Sequence, residues 1–124
     1  MYRFWGKVRK ANLRGKKLGF PTANVNLSKK IPEGVYISKT KIKNNIYFSL
    51  TFIGTVKTFD EKKFLSETYI LDFNQNIYNH WISVKLIKKI RENQQFRSAN
   101  DLIRQMKQDE REARAYFLSP LLTT

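Results

Sequence analysis

Residues 34–53 read GVYISKTKIKNNIYFSLTFI, and this stretch decides the fold class. Two runs of β-branched and aromatic residues flank Lys43, Asn44 and Asn45. Such side chains favour strands, whereas asparagine tolerates the backbone angles of a tight turn. The pattern therefore predicts a β-hairpin with strands over residues 34–42 and 46–53.

Similar runs on both sides of this hairpin predict further strands over residues 2–8, 23–27, 67–73 and 80–90. Residues 74–79 are rich in asparagine and predict a loop between the last two strands. Helices do not alternate with these strands, so a parallel α/β sheet is disfavoured. The expected architecture is mainly β, a small closed or nearly closed barrel.

The spacing of apolar residues changes near residue 98. Leu102, Ile103, Met106, Ala113 and Phe117 follow a helical period, and Ser98 with Asp101 resembles an N-terminal cap. We predict one C-terminal helix over residues 100–117 and a tail over residues 118–124. With the barrel over residues 1–97, the whole chain 1–124 is expected to form a single domain.

Composition excludes several kinds of site. The 124 residues contain no cysteine, which rules out disulfides, thiolate metal sites and a cysteine nucleophile. The single histidine, His80, rules out a histidine-rich metal site. The chain has neither a long apolar run nor the features of a signal peptide, so we expect a cytoplasmic protein with no membrane partner.

Charge is distributed unevenly. Lysine and arginine number 24 against 10 aspartate and glutamate residues, a net charge of +14, and no acidic residue precedes Glu33. This asymmetry indicates an anionic partner, which could be a nucleotide phosphate, a nucleic acid or an acidic membrane. Charge alone does not separate these partners, and a solubilising role for the excess stays open.

One glycine-rich segment could bind phosphate. Residues 15–24 read GKKLGFPTAN, in which two glycines allow close backbone approach to an anion and two lysines add positive charge. Thr22 and Asn24 offer a hydroxyl and a carbonyl oxygen, which suit Mg²⁺ bound together with substrate phosphates. Within a strand, these two residues share a face. A surface turn with solvated lysines is the alternative.

Glu67 is a candidate general base. In a strand over residues 67–73 it shares a face with Tyr69, Leu71 and Phe73, and burial on an apolar face would disfavour its charged form. Asp72 would point to the opposite face and serve a structural role. A solvated or ion-paired carboxylate is the alternative for Glu67.

Taken together, these segments closely resemble the riboflavin kinase family. The resemblance covers residues 6–117 and is carried by motifs in the family's order. These are Gly6-x-Val8, Gly15-Lys16-x-Leu18-Gly19-Phe20-Pro21-Thr22-Ala23-Asn24, Pro32-x-Gly34-Val35-Tyr36, Ile53-Gly54-Thr55-x-x-Thr58-Phe59, Glu67-x-x-Ile70-Leu71-Asp72-Phe73, Ile77-Tyr78 and Ile90-Arg91-Glu92-x-x-x-Phe96.

The resemblance implies a six-stranded Greek-key barrel that transfers the γ-phosphoryl group of MgATP to riboflavin, giving FMN and ADP. It implies that Thr22 and Asn24 hold Mg²⁺ and the ATP phosphates, that Glu67 accepts the proton of the ribityl 5′-hydroxyl, and that Arg91 lies on the flavin side. The loop implied to cover the phosphates consists of Gly15, Lys16, Lys17, Leu18, Gly19 and Phe20. In bacteria such a domain is usually the C-terminal half of a bifunctional protein, so the resemblance implies an adenylyltransferase domain in a longer parent protein unless this chain stands alone.

The chain also departs from the family pattern. Ala11 and Asn79 stand where glycine is usual, Lys16 where arginine is usual and Tyr69 where histidine is usual, and Val56-Lys57 replaces a segment that usually carries proline. Two other functions therefore stay open: a family member that binds flavin or nucleotide without turnover, and a basic β-barrel that binds single-stranded nucleic acid. We expect no nucleic-acid partner, because a nucleic-acid groove needs neither the 15–24 segment nor Glu67. Trp5 and Trp81 are expected to pack in the core or at a barrel end.

Overall fold

The structure is a computed structural model that describes residues 1–9, 22–57 and 60–119. The chain divides into two compact units, Met1–Asn93 and Gln94–Thr124. The first unit contains six strands and the second contains the helix. The expectation that they form a single domain stays a prediction.

The six strands confirm the mainly β architecture. Their bounds are β1 Arg3–Lys7, β2 Ala23–Asn26, β3 Gly34–Ile42, β4 Asn45–Lys57, β5 Lys62–Ile70 and β6 Trp81–Arg91. The strand over residues 34–42 was predicted to the residue, whereas β4 extends four residues beyond its predicted end. That extension pairs with the start of β5, where Lys57 lies opposite Lys62. The start of β5 is rich in charged residues, so its sequence did not predict a strand there.

The strand predicted over residues 67–73 is shifted towards the N-terminus. It begins at Lys62 and ends at Ile70, because Asp72 lies in a turn with φ of 57° and interrupts the extended backbone. Asp72 therefore lies beyond the end of β5. This corrects the prediction that Asp72 belongs to the strand and points to the face opposite Glu67.

All strand pairs are antiparallel, in the order β1-β6-β3-β4-β5-β2. Three consecutive strands, β3 to β5, lie side by side, and β6 returns to pair with β3, which is a Greek key. At the two ends of this order, the backbone N–H of Arg9 donates to the carbonyl of Asn24 at 2.8 Å. This bridge brings the outer strands together into a nearly closed barrel.

The first and last strands of this order also approach closely at Gly6. A Cβ atom on Gly6 would lie 2.4 Å from Cγ1 of Val25, well inside van der Waals contact. Gly6 on β1 is therefore required by the packing of β1 against Val25 of β2.

The barrel interior combines apolar side chains with hydroxyl groups. The apolar core includes Phe4, Val25, Ile53 and Val84. Beside it, a hydrogen-bonded chain of buried hydroxyls crosses three strands, in the order Thr40, Ser49, Ser38, Thr51 and Thr68. The distances between neighbouring oxygens are 2.7–3.0 Å, so each buried hydroxyl has a partner.

Besides Asp72, two further turn residues have a positive φ. Lys43 has a φ of 55° in the two-residue β3–β4 turn, so lysine rather than asparagine adopts the left-handed conformation there. Asn79 has a φ of 66° just before β6. Asparagine tolerates this conformation better than other non-glycine residues, which explains how it replaces the glycine of the family pattern.

The second unit contains helix α1, Ala99–Leu118, within one residue of the prediction at each end. The Ser98 side chain accepts a hydrogen bond from the backbone N–H of Asp101 at 3.1 Å, which confirms the predicted cap. The nearly buried Asp109 accepts a hydrogen bond from the Gln105 amide at 2.9 Å. Within the parts of the chain that the structure describes, no helix is long and apolar enough to cross a membrane.

Both tryptophans differ from expectation. Trp5 on β1 is 71% exposed and Trp81 at the start of β6 is 63% exposed. Their side chains lie on the outer face of the sheet, because Phe4 and Ile82 occupy the alternating inward positions. The prediction of core or barrel-end packing was therefore wrong for both residues.

Candidate active site

The candidate base Glu67 lies in the middle of β5. It is directly opposite Asn24 of β2 on one side and Phe52 of β4 on the other. Directly opposite residues of an antiparallel pair point to the same face, with Cβ atoms about 5 Å apart. The sheet therefore places the carboxylate beside the amide that the sequence singled out.

The face of Glu67 differs from the prediction. Ser66, Thr68 and Ile70 are the buried residues of this part of β5, whereas Glu67 and Tyr69 are half-buried. The apolar core thus lies on the other side of the strand, and Glu67 faces outward. The pairing register explains the difference. In a nearly closed barrel, the strands that pair with β5 determine which of its side chains face outward, and the residue types of β5 alone do not.

Asn24 is the buried member of the pair. Its side chain is only 3% exposed, and its Oδ1 atom has no hydrogen-bond partner among the described residues. A buried carbonyl oxygen without a partner carries a free-energy cost of about 1–3 kcal/mol. Such an oxygen is available for a cation or for a donor group of a ligand.

Thr22 directly precedes β2 and lines a cavity of about 310 Å³. The cavity is also lined by Ala23, Thr68 and Ile70, and by part of the loop between β5 and β6. The Thr22 hydroxyl and the unpartnered Asn24 oxygen are both hard oxygen ligands, the type that Mg²⁺ prefers. The donor chemistry present therefore suits the metal that the sequence indicated.

Arg91 belongs to the same register row as the pair. The row runs across five strands through Asn24, Glu67, Phe52, Val35 and Arg91. With strands about 4.8 Å apart, the backbones at Glu67 and Arg91 are separated by roughly 14 Å. Phe52 and Val35 thus lie between Glu67 and Arg91 in this row. The Nη1 atom of Arg91 donates a hydrogen bond to the backbone carbonyl of Glu92 at 3.2 Å.

The position of Phe52 depends on Gly54. A Cβ atom on Gly54 would lie 2.5 Å from Cζ of Phe52 and 3.1 Å from Nδ2 of Asn93. The same Asn93 amide donates to the carbonyl of Ile53 at 3.1 Å. Sequence reasoning missed Phe52 and Val35, although alternation along β3 and β4 would have assigned both to the outer face.

The remaining predicted site residues lie outside the described part of the chain. These are Gly15, Lys16, Lys17, Leu18, Gly19 and Phe20. Their assignment to the nucleotide phosphates stays a prediction.

Comparison with known proteins identifies the family of the chain. The family model described as riboflavin kinase (Flavokinase) matches residues 1–117. A bifunctional riboflavin kinase/FMN adenylyltransferase from Haemophilus influenzae is 36% identical over 95% of this chain and 39% of its own length. A Bacillus subtilis protein of the same description is 36% identical over 90% of this chain and 37% of its own length.

Solved structures show the same fold. A Streptococcus pneumoniae crystal structure described as a macrolide-efflux protein superposes with a TM-score of 0.82 at 35% identity, covering 90% of this chain and 38% of that one. Riboflavin kinase from Trypanosoma brucei superposes with a TM-score of 0.68 at 22% identity, covering 98% of this chain and 82% of that one.

The fold and the site together define a class of protein, a small Greek-key barrel with a carboxylate and an amide paired on its outer face. The chain belongs to the riboflavin kinase family. It spans about two fifths of the length of the two bifunctional relatives.

Proposed function

We propose that this chain is a riboflavin kinase, which transfers the γ-phosphoryl group of ATP to the 5′-hydroxyl of riboflavin. The observation that carries the proposal is the pairing of Glu67 with Asn24 on one face of β5 and β2. Membership of the family supports the choice of substrates. Phosphoryl transfer needs mostly positioning and charge neutralisation, which a rigid pair of strands can supply.

In this reaction Glu67 acts as general base. The 5′-oxygen of the ribityl chain forms a bond to the γ-phosphorus, and the bond from that phosphorus to the β–γ bridging oxygen breaks. The electron pair of the broken bond leaves with ADP, and the hydroxyl proton passes to the Glu67 carboxylate. Because Glu67 is half-buried on a strand, its carboxylate is held in position yet stays accessible to substrate.

Thr22 and Asn24 would hold Mg²⁺ together with the ATP phosphates. The unpartnered Oδ1 of Asn24 and the Thr22 hydroxyl support this assignment. When bound, Mg²⁺ supplies neutralisation of negative charge on the phosphates. The protein's own contribution would be to fix the Asn24 oxygen beside the carboxylate of Glu67.

Arg91 is proposed to lie on the flavin side. Phe52, which is half-buried and lies next to Glu67 in the row towards Arg91, would provide an apolar surface for a flat ring system, whereas Val35 is buried. The Gly15–Phe20 loop, with Lys16 and Lys17, is proposed to cover the phosphates. The donor nucleotide is ATP and the products are FMN and ADP.

The longer relatives combine kinase and adenylyltransferase functions, according to their descriptions. An adenylyltransferase is therefore a proposed partner, because it would consume the FMN that this chain forms. The cytoplasmic location expected from the sequence stays a prediction.

One assay tests the proposal. The chain is incubated with riboflavin and MgATP, and FMN and ADP are separated by chromatography. We expect the two products in equal amounts. A folded chain that binds riboflavin without forming FMN would overturn the kinase assignment and favour the non-catalytic family member.

A further inference from the structure

A second surface of the barrel is unrelated to the candidate active site. It is the outer face of β1, β6, β3 and β4 near the β3–β4 turn, here called the outer basic face. Register places its residues in three rows. They are Arg3, Lys85, Lys39 and Phe48 in the first row, Trp5, Ser83, Lys41 and Ile46 in the second, and Lys7 with Trp81 in the third.

The charge on this face is uncompensated. None of its five cations has an ion-pair partner within the described residues, and β1, β3, β4 and β6 contain no aspartate or glutamate. Elsewhere on β6, by contrast, Lys89 pairs with Glu92 at 2.6 Å. A surface of this kind attracts a polyanion, and the attraction is screened by salt.

Two indole rings lie among these cations. Trp5 is opposite Ser83 and Trp81 is opposite Lys7. The two tryptophans are therefore diagonal neighbours on one face, with Cα atoms about 7–8 Å apart. At 71% and 63% exposure, both rings leave most of their surface to solvent. Phe48 and Ile46 extend the apolar surface on β4, with exposures of 45% and 64%.

We propose that the outer basic face binds single-stranded nucleic acid. Phosphates would contact Arg3, Lys39, Lys41 and their neighbours, and bases would stack on Trp5 and Trp81. Nucleic acid complements both features of this face, because its phosphates pair with the cations and its bases stack on the indole rings. The expectation of no nucleic-acid partner rested on the 15–24 segment and on Glu67. Of these, Asn24 and Glu67 lie on β2 and β5, which contribute no residue to this face.

Two other occupants fit the surface less well. A membrane would have to accept apolar groups on a sheet face where Ser83 and Lys41 separate Trp5 from Ile46. A second copy of this chain would bring five like charges against five others, which opposes association. Both alternatives are outcomes of the test below.

The face is independent of the kinase site. Asn24 and Glu67 lie on β2 and β5, which contribute no residue to it. On β3, Lys39 lies four residues from Val35 of the site row, about 13 Å along the strand. Substitutions on the face should therefore leave FMN formation unchanged.

The experiment measures binding of a fluorescein-labelled 12-nucleotide oligo(U) by anisotropy, together with quenching of tryptophan fluorescence. We expect saturable binding that quenches the tryptophans. Three to five phosphate contacts predict that log K falls against log salt concentration with a slope between about −2 and −3.5. Absence of binding, or binding without quenching, would overturn the proposal.

Substitutions of the aromatic and of the basic residues locate the site. Trp5→Ala and Trp81→Ala should each weaken binding by about fivefold or more, and Trp5→Phe should restore part of the loss. Lys39→Glu combined with Lys41→Glu should abolish binding at physiological salt. The matched control is Lys107→Glu, which reverses one exposed cation of α1. It is compared with Lys39→Glu alone, which changes the charge by the same amount, and it should weaken binding far less.

Each other outcome contradicts the proposal. Equal weakening by Lys107→Glu would indicate non-specific attraction to the net charge. Binding to phosphatidylserine vesicles but not to oligo(U), or a concentration-dependent dimer abolished by Trp5→Ala, would assign the face to a membrane or to a second copy. FMN formation by each variant shows that the variant is folded. Oligonucleotide binding is measured separately, so the proposal for this face can be tested even if the parent chain forms no FMN.

Discussion

Asn24 and Glu67 are direct partners in the antiparallel pair of β2 and β5. They differ in environment, since Asn24 is almost fully buried with an unpartnered Oδ1 and Glu67 is half-buried. The pair thus joins a carbonyl oxygen without a described hydrogen-bond partner to the carboxylate that we propose as the proton acceptor. The first two predictions separate these roles.

Glu67→Gln keeps the size of the side chain but removes its ability to accept a proton. We expect kcat for FMN formation to fall by about 10²–10⁴-fold, the usual contribution of a general base. Asp72→Asn is the control, because Asp72 lies in the turn beyond β5 and asparagine tolerates its φ of 57°. A parent-like rate for Glu67→Gln, or a large loss for Asp72→Asn, would refute the assignment.

Asn24→Ala removes the buried oxygen proposed to bind Mg²⁺. We expect most activity to be lost at limiting Mg²⁺, while riboflavin affinity without nucleotide and the melting temperature change little. Rates are measured as a function of Mg²⁺ concentration. Asn26→Ala, at an exposed position of the same strand, is the matched control and should behave like the parent. Normal turnover of Asn24→Ala at limiting Mg²⁺ would exclude the metal role.

Gly6→Ala should destabilise the barrel where β1 meets β2. The added methyl group would lie 2.4 Å from Cγ1 of Val25, and such overpacking typically costs about 1–3 kcal/mol in the free energy of unfolding. Urea titration gives this free energy for Gly6→Ala, Val25→Ala and the double variant. Because Val25→Ala removes the clashing group, the double variant should lose less than the sum of the single losses. Strict additivity would contradict the clash.

Tyr36→Phe tests a pH-dependent contribution to stability. The Tyr36 hydroxyl donates to the carbonyl of Pro32 at 2.6 Å, and burial raises the pKa of this phenol above its usual value of 10.0. Folding therefore favours the neutral phenol, so its contribution is present below pH 10 and is lost as pH rises above that value.

The free energies of unfolding of Tyr36→Phe and of the parent should differ in two ways. Below pH 9, Tyr36→Phe should be about 0.5–1.5 kcal/mol less stable than the parent, through loss of the hydrogen bond. Above pH 10 the parent should lose stability more steeply, so the two unfolding curves converge. The Lys89 pKa is also raised, first by the hydrogen bond to Glu92, which both proteins keep, and to a smaller extent by the charge of Tyr36, which only the parent has. Parallel pH profiles would contradict the role of Tyr36.

The sequence alone determined most of the secondary structure. Alternation of β-branched residues located all six strands, and the apolar period with Ser98 located the helix within one residue at each end. These features are local, because backbone preference and side-chain period act over a few neighbouring residues. The motifs also named Asn24, Glu67 and Arg91 as candidate site residues.

Only the tertiary structure decided which faces these residues share. β2 and β5 are separated by more than thirty residues in the chain, and a shift of one residue in their register would turn Glu67 away from Asn24. The outward direction of Glu67 and the exposure of both tryptophans have the same origin. Barrel closure assigns each strand an inner and an outer face through its partners, and no single strand carries that information in its own sequence.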